Sequence, residues 1–253
     1  MKLAVGFPWD SPFTYTGFTD ATLNLRHPPG CEVRFVRGRG FCPARRHNHI
    51  CEQAVNWGAD LILIIGADQL HPEDMLCRLV ERFKEGYEVV SAMVPSRGFV
   101  SWQEMEPFQP MAWRFKSGNM EAMRSYSGME VDGDLIEVVQ KDTGMQTVDF
   151  IGSGVLMFHV DHLRAMARPW FREIITDDPG YNRRASMDCT FVWRLATESG
   201  AQVWCDTDID VRHLHIFEID GSYSERFKDW KKGNGDPSIC QYRPKEETVA
   251  QGV

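Results

Sequence analysis

The segment Asp60-Leu61-Ile62-Leu63-Ile64-Ile65 constrains this chain more than any other. An unbroken apolar run behind a single acid has no polar face, so it reads as a strand covered on both sides, the kind found in the middle of a sheet flanked by helices. The residues around it supply partners of both types. Residues 3–7 form an apolar run ended by Pro8, and residues 31–36 can form a second strand. Residues 44–57 read as a helix, because Ile50, Ala54 and Trp57 recur at helical spacing and Gly58 can close it. After the central run, Met75, Leu76, Leu79, Val80 and Phe83 give a helical stripe ending near Gly86, and residues 89–94 return to strand. This alternation predicts an α/β protein with a doubly wound, mostly parallel, Rossmann-like sheet.

The remainder is less regular. Between residues 95 and 149 only 111–115 and 135–139 look like strands, so this stretch reads as an irregular, acceptor-side insertion. Phe150-Ile151 leads through Gly152-Ser153-Gly154 into another apolar strand, followed by a short helix at 162–167. A helix over 188–198 and a strand at 203–205 lead to Val211-Arg212-His213-Leu214-His215, and the chain becomes polar after 231. The 28 Lys and Arg against 36 Asp and Glu give a net charge of -8, which argues against a dedicated polyanion binder. No apolar segment approaches the roughly 20 residues that span a bilayer, so no transmembrane segment and a cytoplasmic address are expected. The 7 cysteines show no CxxC spacing, as suits packed thiols better than a disulfide framework or zinc site.

Several residues could carry chemistry. Asp68 lies just beyond the central strand, where a carboxylate can meet a metal and the diphosphate it carries; a capping or turn role fits the position equally well. His213 and His215 are two apart, so in an extended segment both point to one face and one could reach a metal, although packed histidines are the commoner outcome. Oxygen ligands with one imidazole suit Mn²⁺ or Mg²⁺. Asp188 opens a helix, where Asp is common as a cap, yet a carboxylate there is also competent as a general base. Arg45, Arg46 and Arg97 could neutralise a diphosphate or form a solvated face. Gly152-Ser153-Gly154 could admit a substrate close to the backbone or simply turn the chain, and Trp102, Trp113 and Trp170 could stack on a sugar or fill the core.

In their order along the chain these features resemble the GT-A glycosyltransferases, particularly the family 2-like group. The pattern comprises a first strand with Pro8, Ala44-Arg45-Arg46-His47-Asn48 opening a helix, Gly66-Ala67-Asp68 after a strand, Gly152-Ser153-Gly154, Asp188-Cys189-Thr190-Phe191 and a late histidine. The resemblance spans roughly residues 1–217. It implies a single catalytic domain over 1–231, with a nucleotide-sugar half at 1–95, an acceptor and metal half at 96–231 and a polar tail at 232–253. It also implies transfer from a nucleotide-diphosphate sugar to an acceptor hydroxyl, with inversion.

The implied residue roles follow the motifs. Asp68 corresponds to the last Asp of a DxD motif, Gly66 standing where the first would be, with Gln69 or His71 as nearby compensation. Mn²⁺ or Mg²⁺ would be held by Asp68 and His213, with His215 as the alternative histidine. Asp188 is the implied base, with Met187 replacing the usual Glu before it. Pro8, Arg46, Asn48, Ala67, Asp68, Arg97, Gly152, Ser153 and Gly154 would border the donor. The acceptor class stays open among a saccharide, a lipid-linked glycan, a protein and a modified DNA base; for the last, Arg34, Arg37, Arg39, Arg45 and Arg46 could form a local phosphate-binding patch. Two alternatives remain. A nucleotidyltransferase would carry a Gly-rich, basic loop after its first strand, where this chain has Phe7-Pro8-Trp9-Asp10. A noncatalytic sugar-nucleotide or carbohydrate-binding protein is compatible with the incomplete DxD.

Overall fold

The computed structural model describes residues 1–95, 112–115, 136–178 and 181–214. The first part contains β1 (Lys2–Phe7), α1 (Thr16–Leu23), β2 (Glu32–Arg37), α2 (Pro43–Trp57), β3 (Leu61–Ile65), β4 (Gln69–Leu70), α3 (Met75–Lys84) and β5 (Val89–Met93). Then come β6 (Ala112–Phe115), β7 (Ile136–Val138), β8 (Met145–Thr147), β9 (Phe150–Ile151), β10 (Val155–His159) and α4 (Val160–Ala165). The last described elements are β11 (Ile174–Asp178), β12 (Tyr181–Ala185), α5 (Met187–Glu198), β13 (Val203–Asp210) and β14 (Arg212–His213).

The central sheet has 7 strands in the order β2-β1-β3-β10-β5-β13-β8. β2, β1, β3, β5 and β13 run one way, whereas β10 and β8 run the other. The sheet is therefore mixed and mostly parallel, and the departure from a purely parallel order has a positional effect. Because β10 is antiparallel to β3, with Val155 opposite Ile65, its beginning lies at the edge where β3 ends. The Gly66 N–H donates to the Gly154 carbonyl at 2.8 Å and ties the two loops together.

All five residues of β3 are buried, as its unbroken apolar sequence requires, and they alternate between two cores. Ile62 and Ile64 join Ile50 and Ala54 of α2, Leu163 of α4 and Phe191 of α5. Leu61, Leu63 and Ile65 join Phe18 of α1 and Leu76, Leu79 and Val80 of α3. Helices thus cover both faces, and each fully buried aliphatic side chain contributes about 1.5 to 3 kcal/mol relative to exposure. α2 lies unusually close to β1: a Cβ on Gly6 would fall 2.2 Å from Ile50 Cγ2, so this strand position accepts only glycine. Pro43 in the first turn of α2 and Gly58 at its end, with φ 73°, fix the helix at both termini.

Several features differ from the sequence reading. The run 150–158 is two strands, because Gly152-Ser153-Gly154 turns the chain between the small sheet β7-β6-β9 and the central sheet. β13 extends to Asp210 through an irregularity after Asp206. α1 escaped prediction because Gly17 and three threonines give it weak intrinsic propensity and Tyr15 provides no side-chain cap. It is held by packing, including the Phe18 ring set edge-on to Phe7 at 5.3 Å. Cys51, Cys189 and Cys205 are buried thiols; burial pushes all three up, Cys189 and Cys205 to about 12. Among the described residues no helix is long and apolar enough to cross a membrane.

Candidate functional site

Two polar clusters meet the C-terminal edge of β3. The first is built by the turn after that strand. The Gln69 N–H donates to the Gly66 carbonyl at 3.1 Å, and the Asp68 carbonyl accepts from Leu214 N at 2.7 Å, so the chain beyond β13 is laced to this turn. β14 pairs with β4, setting His213 opposite Gln69. This brings His213 Nε2 to 3.3 Å from Asp68 Oδ2, both side chains being largely buried. His213 Nδ1 lies 2.9 Å from the Pro95 carbonyl, which can only accept, so Nδ1 carries a hydrogen. In the neutral ring, Nε2 therefore turns its lone pair towards the carboxylate, and a proton or a cation belongs between them.

Gly66 has a specific consequence here. A Cβ at this position would lie 3.0 Å from Asp68 Oδ1 and 3.1 Å from Gln69 Cγ. Gln69 thus fills the space beside Asp68 that a side chain at 66 would use, and its Nε2 donates to Asp68 Oδ1 at 3.3 Å. Gln69 is 2% exposed, yet its Oε1 has no hydrogen-bond partner among the described residues. Neighbouring His71 is also buried with both ring nitrogens unpaired among those residues, and burial lowers it to about 4. The pair of one carboxylate and one imidazole with its second nitrogen anchored on a carbonyl suits a divalent cation such as Mn²⁺. Among the described residues no group of three or more His, Cys, Asp or Glu side chains could hold an ion, so the protein's share of such a shell rests on Asp68 and His213.

The second cluster joins α2, the Gly152–Gly154 turn and the start of α5. Ser153 Oγ lies 2.5 Å from Asp188 Oδ1 and 3.1 Å from His47 Nε2, while His47 Nδ1 lies 2.8 Å from the Pro43 carbonyl. Each residue is delivered by an element already described: His47 one turn before Ile50 on the face of α2 packed on β1, Ser153 just before β10, and Asp188 in the first turn of α5. The helix itself is capped by Ser186, whose Oγ accepts from Cys189 N at 3.3 Å, so Asp188 is released from that task. Its carboxylate is half-buried, whereas His47 and Ser153 are 3% and 7% exposed. Burial lowers His47, the Asp188 charge opposes that shift, and Arg46 adds to it. The order carboxylate–hydroxyl–imidazole differs from an acyl-transfer triad, in which the carboxylate orients the imidazole instead.

Other candidates take different places. Asn48 is engaged by backbone: its Nδ2 donates to the Ala44 and Phe171 carbonyls at 2.8 and 2.7 Å, and its Oδ1 accepts from Trp170 N and Phe171 N at 2.9 and 3.1 Å. Its amide is saturated by backbone and clamps residues 170–171 to α2. Arg46 donates from Nε to the Gly40 carbonyl at 2.8 Å and has no carboxylate partner among the described residues. Pro8 is half-buried in the loop after β1, and Ala67 is buried in the core beneath Asp68. Gly152 is buried beside Ser153, and Gly154 is tied to Gly66.

The tryptophans and arginines settle similarly. Trp170 is buried with its Nε1 donating to the Leu163 carbonyl, and Trp113 stacks on Phe150 at 4.6 Å, so both are packing residues. The arginines of the proposed basic patch are dispersed: Arg37 faces Asp10, Arg45 faces Glu52, and Arg34 lies over the Trp57 ring. Arg97, Trp102, His215 and the 232–253 tail lie outside the described residues. Sequence reading missed His47 as a site residue, although its position three before Ile50 on the buried face of α2 was the available signal.

No family model matches the chain, and no curated protein matches it at a significant level. Among solved structures it is similar to A197 from STIV, over 85% of this chain and 86% of that one, with 13% identity and a TM-score of 0.55. This likeness is one of fold. UDP-glucose pyrophosphorylase, without ligand and complexed with UDP-glucose, overlays 80% of the chain at 10% identity with a TM-score of 0.39, over 65% and 67% of those chains. That overlay is too distant to carry an argument about chemistry.

Proposed function

We propose that this chain is a glycosyltransferase that moves a sugar from a nucleotide-diphosphate sugar to an acceptor hydroxyl with inversion. The observation that carries the reading is the approach of Asp68 and His213 to 3.3 Å, on the same sheet edge that receives Ser153 and, through it, Asp188. Asp68 and His213 would hold Mn²⁺ or Mg²⁺, which when bound supplies positive charge against the diphosphate that departs. Arg46, without a carboxylate partner among the described residues, is positioned by Gly40 to add a second cation for the phosphates. Asp188 receives the acceptor's proton: Oδ1 is engaged by Ser153, so the other carboxylate oxygen takes it as the new C–O bond forms.

The test is incubation of the full chain with a panel of nucleotide-diphosphate sugars and hydroxyl acceptors, with and without Mn²⁺, following nucleoside diphosphate release and product configuration. Metal-stimulated release accompanied by an inverted glycoside is expected. Pyrophosphate exchange would instead establish a nucleotidyltransferase, and binding without turnover a noncatalytic sugar-nucleotide protein.

A further inference from the structure

The contacts of His47, Ser153 and Asp188 hold a proton deficit. Three close contacts link Pro43 O, the two His47 nitrogens, Ser153 Oγ and Asp188 Oδ1, and each needs one hydrogen. A carbonyl only accepts, so His47 Nδ1 must be protonated; a neutral His47 then presents a bare lone pair at Nε2. The single Ser153 hydrogen can serve Nε2 or Asp188, not both. With a neutral imidazole and an ionised carboxylate, lone pairs would oppose each other at 2.5 Å on one side of Ser153 or at 3.1 Å on the other.

We infer that the trio holds one extra proton, shared through the Ser153 hydroxyl between His47 and Asp188, so that His47 sets how much of Asp188 is ionised. In one form His47 is an imidazolium that donates to Ser153, and Ser153 donates to the Asp188 carboxylate. In the other, Asp188 is a carboxylic acid that donates to Ser153, and Ser153 donates to neutral His47. To pass from the first to the second, one N–H bond at His47 Nε2 and the O–H bond of Ser153 break. New O–H bonds form at Ser153 Oγ and Asp188 Oδ1, and the opposite charges on His47 and Asp188 vanish together. Only the first form leaves Asp188 able to take a proton from an acceptor, so the link to catalysis rests on the proposed role of Asp188, whereas the sharing itself does not.

The surroundings define what competes for this proton. Charged groups reach His47 from α5 as Asp188 and from α2 as Arg46. The remaining neighbours named by the geometry are uncharged: the Pro43 carbonyl, the Ser153 hydroxyl and the Phe171 ring at 4.8 Å. His47 is therefore a positioning residue whose charge reaches the reaction through Ser153.

The test is a pH titration of the full chain labelled with ¹⁵N-histidine, the His47 signals being assigned by their loss in His47→Gln. Nδ1 is expected to stay protonated throughout while Nε2 titrates. Asp188→Asn removes the anion and should lower the His47 midpoint by about one pH unit or more, the coupling expected of interacting sites. Ser153→Ala should also shift it, and Ser153→Thr, which keeps the hydroxyl, should restore it. Asp188→Asn is isosteric and half-exposed, so it keeps the test decisive even if loss of the buried Ser153 hydroxyl unfolds the chain. Equal midpoints in wild type and Asp188→Asn would overturn the sharing, even if that variant lost transfer. A coupled titration in a chain that transfers no sugar would uphold the sharing while removing the proposed activity.

Discussion

α5 carries two buried ionisable centres, one near each end, and they are built on opposite terms. Towards its C-terminal end Arg194, with 0% exposure, places every guanidinium hydrogen: Nε on Glu198 Oε1, Nη1 on the Pro169 and Trp170 carbonyls, and Nη2 on the Ala167 carbonyl and Glu198 Oε2. At its N-terminal end Asp188, Ser153 and His47, with a neutral imidazole and an ionised carboxylate, would have one hydrogen fewer than their close contacts need. A saturated centre has one arrangement and serves as a rivet. One that shares a proton among several acceptors has two arrangements, and moving between them is proton transfer.

The comparison is broken or sharpened first at Asp188. Asp188→Asn should keep fold and donor binding while transfer falls about 10²- to 10⁴-fold, measured as kcat with saturating donor. Near-wild-type transfer would remove Asp188 from the chemistry. The opposite response is expected at the other end of the helix: Arg194→Met should cost about 3 kcal/mol in denaturant unfolding, because it strands the carbonyls of Ala167, Pro169 and Trp170, whereas its pair with exposed Glu198 adds little. A loss below about 1 kcal/mol would show that saturation there contributes little.

His71 supplies an intermediate case, buried with both ring nitrogens unpaired among the described residues. Its ordinary value is 6.5, and burial lowers it to about 4, so the unfolded chain takes up the proton first as the medium becomes acidic. Its contribution is fully present above about pH 6.5 and is lost as pH falls towards 4, with a magnitude of about 3 kcal/mol. Unfolding free energies from pH 7 to 4 should show this decline in wild type and a shallower one in His71→Phe.

A smaller effect is expected at the metal pair. Mn²⁺ at about 100 times its Kd should raise wild-type stability by roughly 2.7 kcal/mol, and His213→Ala should abolish most of that increment. Its persistence would place the ion elsewhere. The smallest effect belongs to Arg45→Ala, which removes an exposed pair with Glu52 and should cost less than about 1 kcal/mol.

The parts legible in the sequence were those governed by apolar periodicity. β3, α2 and α3 announce themselves through runs and stripes, and the structure assigns them nearly the same limits. β4 and β14 have two residues each, too short for any period, and exist because Gln69 and His213 pair across more than a hundred residues. The approach of Asp68 to His213 was legible as two strand ends sharing one sheet edge. The His47–Ser153–Asp188 chain was not, because a helix face, a glycine turn and a helix start give no common spacing; the close packing of α2 on β1 at Gly6 and Ile50 shows only in three dimensions. The backbone clamp made by Asn48 was hidden for the related reason that a buried amide and a ligand-binding amide look alike in one dimension.

β10 has a consequence for how the sheet comes into being. It lies between β3 and β5, so two strands close in sequence are never neighbours; the place between them waits for residues about 60 positions further along. Until that strand arrives, β3 and β5 each expose an unpaired apolar edge, a liability during synthesis and a source of high contact order. A nascent chain ending after β5 is thus expected to bind chaperones or aggregate rather than form a stable half-sheet. The strand that fills this gap enters through Ser153, while Asp188 and β13 follow later in the chain, so the gap between β3 and β5 can close before the candidate proton relay is complete.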